Sequence, residues 1–290
     1  MFPTDPTSTA KHIRLMTELK DLFVQGFVNA DLKVAIRNRL DVQLHKLFRK
    51  PLRSQVSAHP DYFSTKRIVV YTSIYGSVDE VHEPLTTPDN CDFFILTDQP
   101  VRASSIWRKK DFDFEVHQIP NDSTLKNRFV KMFPELIFPD YDFAVYIDGS
   151  VEIRTDMTEF IQETNQYGLK MFLHPVRNCV YQEIKECIRL KKGKESDLLA
   201  HAAYLQAQQM PRHYGLLEGG MIIRPIHHEF CQHLMRDWWE EFNKYSRRDQ
   251  VSLPFILWKN GVPIEQIGEL GYNMRAHPAI RQYPHIKSKK

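Results

Sequence analysis

This chain has little charge of one sign to spare, no paired cysteine motif and no long apolar run. Lysine plus arginine number 39 against 36 aspartate plus glutamate, a formal net charge of +3. That balance makes no demand for nucleic acid, and none is expected as a partner, although local basic patches remain open. The four cysteines, Cys91, Cys179, Cys187 and Cys231, are scattered and form no CxxC. Zinc-ribbon and dithiol redox chemistry are thereby disfavoured, and free thiols in a reducing cytoplasm are the simplest account. No stretch reads as a bilayer span or as the apolar core of a signal peptide. The expected location is cytoplasmic, with a peripheral site on the inner membrane as an extension of that reading. The Golgi lumen applies if the chain is a catalytic piece of an anchored eukaryotic parent.

The 290 residues are 42% hydrophobic and 26% charged, an ordinary globular balance with material for a sizeable core. Residues 1–60 read as a helical extension and linker. Apolar residues recur at helical steps through Ile13, Met16, Leu19, Leu22, Phe23 and Phe27, then Leu32, Ile36, Leu40, Leu44 and Leu47. Basic residues such as Lys33, Arg37, Arg39, Lys46 and Arg49 accompany them. Packing or homodimerisation through these helices is the favoured reading, and contact with an anionic membrane surface is the sharper one. Residues 61–290 read as one α/β domain. Strands are expected at 67–73, 93–97, 113–119 and 141–147, with a helix over 123–137 capped by Asp122 or Ser123. The second half offers a helix over 156–167, a strand at 169–173 and helices over 179–190 and 195–209. A strand at 220–224 and helices over 225–245 and 250–258 follow. This alternation predicts a mixed, mostly parallel sheet flanked by helices.

The chemistry-bearing residues fall where such strands end. The apolar run 141–147 stops at Asp148-Gly149-Ser150, which puts a carboxylate and a hydroxyl at a sheet rim. Those groups suit a hard divalent cation and the phosphates it carries, and equally suit a plain Asp-Gly turn. Thr72, Ser73 and Tyr75 follow the first strand and could hold a base and ribose. Asp98 ends the second strand and could accept from a base or cap a turn. Arg128 and Lys131 share a helix face and suit a diphosphate, or simply solvent. His174 and Arg177 could touch phosphate or sugar hydroxyls. Glu218 precedes Gly219 and Gly220, where the backbone can approach a ligand closely. Asp249 and Gln250 open a late helix, with Asp249 a cap or a catalytic carboxylate. His277, with His285 as the alternative, could supply an imidazole to a metal.

In this order the motifs resemble one family: Tyr71-Thr-Ser-Ile-Tyr-Gly76, Cys91-Asp-Phe-Phe-Ile-Leu-Thr-Asp98, Arg128-x-x-Lys131, Tyr146-Ile-Asp-Gly-Ser150, His174-x-x-Arg177, Glu218-Gly-Gly220 and Arg248-Asp-Gln250. It is the glycosyltransferase-like domain of plant mucilage-related and bacterial polysaccharide-locus proteins, and the resemblance covers roughly residues 66–260. It implies a GT-A-like Rossmann-type fold and transfer of a sugar from a nucleotide-sugar donor, a UDP-sugar favoured, to a glycan or glycolipid. It implies Asp249 and Glu218 as catalytic candidates. Thr72, Ser73, Tyr75, Asp98, Arg128, Lys131, Asp148, Ser150, His174, Arg177, Gly219 and Gln250 fall to the donor. It also implies Asp148, Ser150 and His277 around Mn²⁺ or Mg²⁺. Ser150 stands where the family's metal motif has an acid, so metal independence is a second expectation. The Asp249-Gln250 pair leans toward retention of configuration. Two competing classes are a non-catalytic carbohydrate-binding or scaffold protein on the same fold and a nucleotidyltransferase. The 72–76 loop lacks the glycine-rich basic character the latter would show.

Overall fold

The computed structural model describes residues 65–76, 79–161 and 165–284. The 1–60 extension, with the dimer and membrane readings attached to it, and His285 lie outside the described residues.

The centre is a six-stranded sheet in the order β3-β2-β1-β4-β7-β6. β1 is Ile68–Ile74, a seven-residue run buried throughout. Its β-branched residues and lack of polar alternation suit a strand covered on both faces. β1 pairs in parallel with β2 (Cys91–Thr97) on one side and β4 (Phe143–Ile147) on the other. β2 also carries the two-residue β3, Arg108–Lys109. β7 (Leu217–Pro225) runs antiparallel to β4 and to β6 (Lys170–Leu173). The carboxyl ends of β1, β2, β4 and β6 and the start of β7 therefore share one edge. The chain order reverses between β1 and β4, where open α/β sheets form their crevices.

Two cores lie on the two faces of the sheet. Val69, Tyr71, Ala144, Tyr146 and Ile222 face one, which is filled by helices. These are α1 (Ser123–Met132), α2 (Pro134–Ile137), α4 (Val180–Arg189), α5 (Glu195–Ala207), α6 (Glu229–Lys244), α7 (Asp249–Lys259) and α8 (Ile264–Ile267). Ile68, Val70, Val145, Ile147 and Ile223 face the other. That thinner layer holds β5 (Val151–Ile153) paired with β8 (Ile280–Gln282), and α3 (Thr158–Ile161).

The expected fold class holds, and three expected elements change. The strand at 113–119 is a run of turns with Gln118 at a φ of 56°, and the third strand is the exposed pair Arg108–Lys109 instead. The helix over 123–137 divides into α1 and α2 because Pro134 offers no N–H to continue the ladder. The helix over 156–167 is seen only as Thr158–Ile161, with 165–167 outside any helix.

Candidate active site

The shared edge gathers a charged cluster that the sequence holds far apart. Asp122 caps α1 by accepting from Leu125 N at 2.9 Å. Arg128 and Lys131, three residues apart on α1, then project to one side. Lys131 Nζ donates to Asp249 Oδ2 at 2.8 Å, and Arg128 Nε stands 3.0 Å from the same oxygen. Lys131 is 1% exposed. Its ammonium also lies 3.9 Å from Asp148 Oδ1 and 5.2 Å from the centre of the Tyr146 ring. Tyr146 Oη donates to Asp148 Oδ1 at 3.0 Å. Lys131 thus stands between two carboxylates, one ending β4 and one opening α7.

Burial works against ionising Asp249, but the charges of Arg128, Lys131 and Arg248 hold its carboxyl far below the usual carboxylate range. A group so held takes up no proton near neutrality. The carboxylate expected as a catalytic base is a fixed anion that orders two cations, and those cations face it first.

Gly219 permits this arrangement. A Cβ there would lie 2.7 Å from Lys131 Nζ. Gly219 and Gly220 belong to an irregularity in the β6–β7 ladder, where Met171 pairs with Ile222 but the next residue, Phe172, pairs with Glu218. Bulges of this kind re-aim side chains beside sites. Glu218 Oε2 accepts from Met274 N at 2.9 Å. Burial raises its pKa, with the Met274 N–H, Arg275 and Arg177 opposing. Glu218 therefore binds a proton more readily than an ordinary glutamate.

His174 Nδ1 accepts from the backbone N–H of Val176 at 3.2 Å and of Arg177 at 2.9 Å. Burial first, then Arg177 and Arg275, push its pKa down to about 3, so the ring is neutral. Arg177 Nε donates to Glu183 Oε2 at 2.7 Å, which engages the cation expected for phosphate.

The donor edge at β1 is more closed than expected. Thr72 is fully buried with its hydroxyl in the core, and Ser73 is 2% exposed. Asn127 Nδ2 donates to Ser73 O at 2.7 Å and to its Oγ at 2.8 Å. Ser73 therefore ties the strand to α1, and neither Thr72 nor Ser73 presents an open hydroxyl to a ribose. Tyr75 and Asp98 stay accessible. Tyr75 is half-buried and edge-on to Phe114 at 5.7 Å. Asp98 accepts from Gly76 N at 3.1 Å and Gln99 Nε2 at 2.8 Å. Slight burial works the other way, but these bonds hold its carboxyl below the usual range.

A shallow concavity, open to solvent, is lined by Leu217, Gly219, Asp249, Gln250, Leu253 and Pro254, among others. Gln250 Nε2 donates to Leu217 O at 3.2 Å. Pro254 sits inside α7 and has no N–H to offer the Gln250 carbonyl one turn back.

A glycosyltransferase-like domain family, TOD1/MUCI70, matches residues 55–274, which is most of the chain and includes Arg128, Lys131, Asp148 and Asp249. The chain belongs to that family. No curated protein matches it. Among solved structures, the bifunctional glycosyltransferase WbbM is 11% identical, with a TM-score of 0.42 over 72% of this chain and 39% of its own. The galactosyltransferase LgtC, solved with donor and acceptor sugar analogues, is 13% identical, with a TM-score of 0.43 over 74% and 86%. The glycosyltransferase GlyE of Streptococcus pneumoniae TIGR4 is 10% identical, with a TM-score of 0.37 over 76% and 55%. No residue is carried across from relatives this distant.

The family membership supports a glycosyl transfer role, and the donor set can be tested against the metal that role suggested. Ser150 is 1% exposed with its hydroxyl turned inside. The His277 ring lies against Phe160 and Phe172 at 5.5 and 5.3 Å, and its Nδ1 accepts from Ala279 N at 3.3 Å. Among the described residues no three His, Cys, Asp or Glu side chains gather closely enough to hold a metal ion. Of the expected ligands, Ser150 turns its hydroxyl inward and His277 Nδ1 is engaged, while Asp148 stands beside Lys131 at the sheet edge.

Several members of the cluster were not singled out from sequence. Arg248 stands in the Asp249 motif and Tyr146 lies two residues before Asp148, on the same strand face, so both had a signal. Asn127, Met274 and Arg275 had none.

Proposed function

We propose that this chain moves a sugar from a nucleotide-sugar donor, a UDP-sugar favoured, to a hydroxyl of a glycan or glycolipid. Such a reaction belongs to polysaccharide synthesis, as of a capsule, an O-antigen or a cell wall. The observation that supports this best is the Arg128–Lys131–Asp249 cluster beside Asp148 at the carboxyl edge of the sheet. With Arg248 included, three cations meet two carboxylates there. The positive surplus favours the anionic diphosphate that departs as the bond to the sugar C1 breaks. Tyr75 and Asp98, at the ends of β1 and β2, take the nucleoside. Gln250 and Gly219 line the shallow concavity beside which the sugar is placed.

The reaction breaks the C1–O bond to phosphate and forms a C1–O bond to the acceptor. The acceptor hydroxyl loses its proton. In the retaining course that the Asp249-Gln250 order favours, a departing phosphate oxygen takes that proton. A second reading, inversion, has one supporting observation, the raised pKa of Glu218, which suits it to take the proton itself. The anomeric configuration of the new glycosidic bond, read by proton NMR, decides between them. The four buried free cysteines suit the reducing compartment proposed for the protein.

A melting-temperature screen with UDP, GDP, CMP and nucleotide sugars tests the reading. A shift with one nucleotide class supports the transferase and names the donor base. No shift with any of them turns the reading toward a non-catalytic carbohydrate-binding protein.

A further inference from the structure

We infer that Lys131 is the resident counter-ion of this site, an ammonium built in where a divalent cation would otherwise bridge Asp148 and Asp249. The inference concerns the empty-handed protein and stands on geometry, whichever donor is bound. Its Nζ is 2.8 Å from Asp249 Oδ2 and 3.9 Å from Asp148 Oδ1, so one cation already serves both carboxylates.

The surroundings leave a second cation poorly provided for. Asp148 Oδ1 already accepts from Tyr146 Oη at 3.0 Å. Asp148 Oδ2 lies toward Gly220, 3.4 Å from where a Cβ would sit. Met274 Cε and Sδ border that same Cβ position. A methyl group and a soft thioether are poor neighbours for a hard, oxygen-seeking ion. The Ser150 hydroxyl is buried, and the His277 imidazole is occupied by Ala279 N and packed against two phenylalanines.

The position of the ammonium is built as well. Gly219 makes room for it, as a Cβ there would approach Nζ to 2.7 Å. At the other end of the residue, the Lys131 carbonyl accepts from Arg224 Nη2, a guanidinium buried in the core that also donates to Tyr71 Oη at 2.8 Å. Residues on three elements thus fix one buried cation between two acids. Lys131 acts through those acids and is a positioning residue.

The test titrates the full chain with Mn²⁺ alone and reads free Mn²⁺ by electron paramagnetic resonance. The quantity read is the uptake lost on adding Asp148→Asn to the same background. The native chain is expected to show no Asp148-dependent uptake up to about 1 mM Mn²⁺. Lys131→Met keeps both carboxylates and removes the ammonium, and it is expected to gain such uptake, at least about tenfold tighter than the native limit. Asp148-dependent uptake by the native chain overturns the inference, and so does its absence in a folded Lys131→Met. Should Lys131→Met show no cooperative melting, the native arm alone decides. Nucleotide binding without metal is read separately by melting temperature. Its failure removes the donor reading and leaves the assignment of Lys131 standing.

Discussion

Two buried polar clusters flank the same short segment, 245–249, and they differ in what they face. At one end of the segment, Ser246 Oγ lies 2.9 Å from His201 Nδ1. His201 Nε2 is 3.4 Å from Glu241 Oε1, and both side chains are 1% exposed. The His201 ring also stacks on Tyr245 at 5.1 Å. At the other end Asp249 meets Lys131 and Arg128 from α1. Both clusters hold a carboxylate against a nitrogen base inside the protein. Only Asp249 lines the concavity and sits at the carboxyl edge of the parallel strands. The His201–Glu241 pair joins α5 to α6, with both side chains buried. Buried charge marks a candidate site only where it meets an accessible concavity.

The comparison breaks most visibly at Asp249. Asp249→Ala leaves the buried Lys131 and the part-exposed Arg128 without their carboxylate, and a stability loss of about 3 kcal/mol is expected in urea unfolding. Nucleotide affinity should fall with it. The same carboxylate should govern acid stability. Its folded pKa is depressed, so its contribution is present above the unfolded value of about 4 and is lost as the pH falls below it. In Asp249→Asn that part of the acid loss should be missing.

His201→Ala should cost less, about 1–3 kcal/mol, because Glu241 keeps Lys244 Nζ 3.6 Å from its other oxygen. Nucleotide affinity should hold at the native value. A collapse of affinity equal to that of Asp249→Ala would show the two clusters to be one functional unit. Gly219→Ala should cost about 1 kcal/mol by crowding Lys131. It should weaken transfer more than its stability loss explains, as measured by kcat/KM beside the melting temperature.

Glu218→Gln should move stability least. The raised pKa means that any stabilising contribution from Glu218 is complete at low pH and fades as the pH rises through its folded value. The amide copies the protonated form, so stability at neutrality should be unchanged or slightly higher. If Glu218 takes the proton, the acid limb of kcat/KM lies above about 4.3 in the native chain and vanishes in the variant.

Much of the frame was legible because burial leaves a plain pattern. The runs that became β1, β2 and β4 are short, apolar and β-branched or aromatic, and Asp148 ends one of them. Its place at the sheet edge follows from that alone. The misread strand at 113–119 had apolar residues at Phe114 and Val116. Phe114 packs inward, while Val116 is 73% exposed on a turn. The true third strand, Arg108–Lys109, has no apolar signature, since it is a two-residue edge held by backbone pairing to Phe94 and Ile95. The pairing of Lys131 with Asp249 spans 118 residues and could not be read from spacing. Helical spacing predicted that Arg128 and Lys131 share a face, but a solvated or phosphate-facing surface fits that spacing equally well. The closure of Ser73 was hidden for the same reason, because Asn127 lies on another element.

The grip of Arg224 on the Lys131 carbonyl has a consequence for how the protein tolerates change. Arg224 lies near the far end of β7, paired with Ala144 and remote from the edge that carries Asp148 and Glu218. It nevertheless sets where the last turn of α1 ends, and so where that lysine begins its reach. Inherited or engineered variation at Arg224 and at its partner Tyr71 would thus alter the concavity from behind. In a library selected for transfer, compensating substitutions are to be sought at these interior positions as well as around the opening.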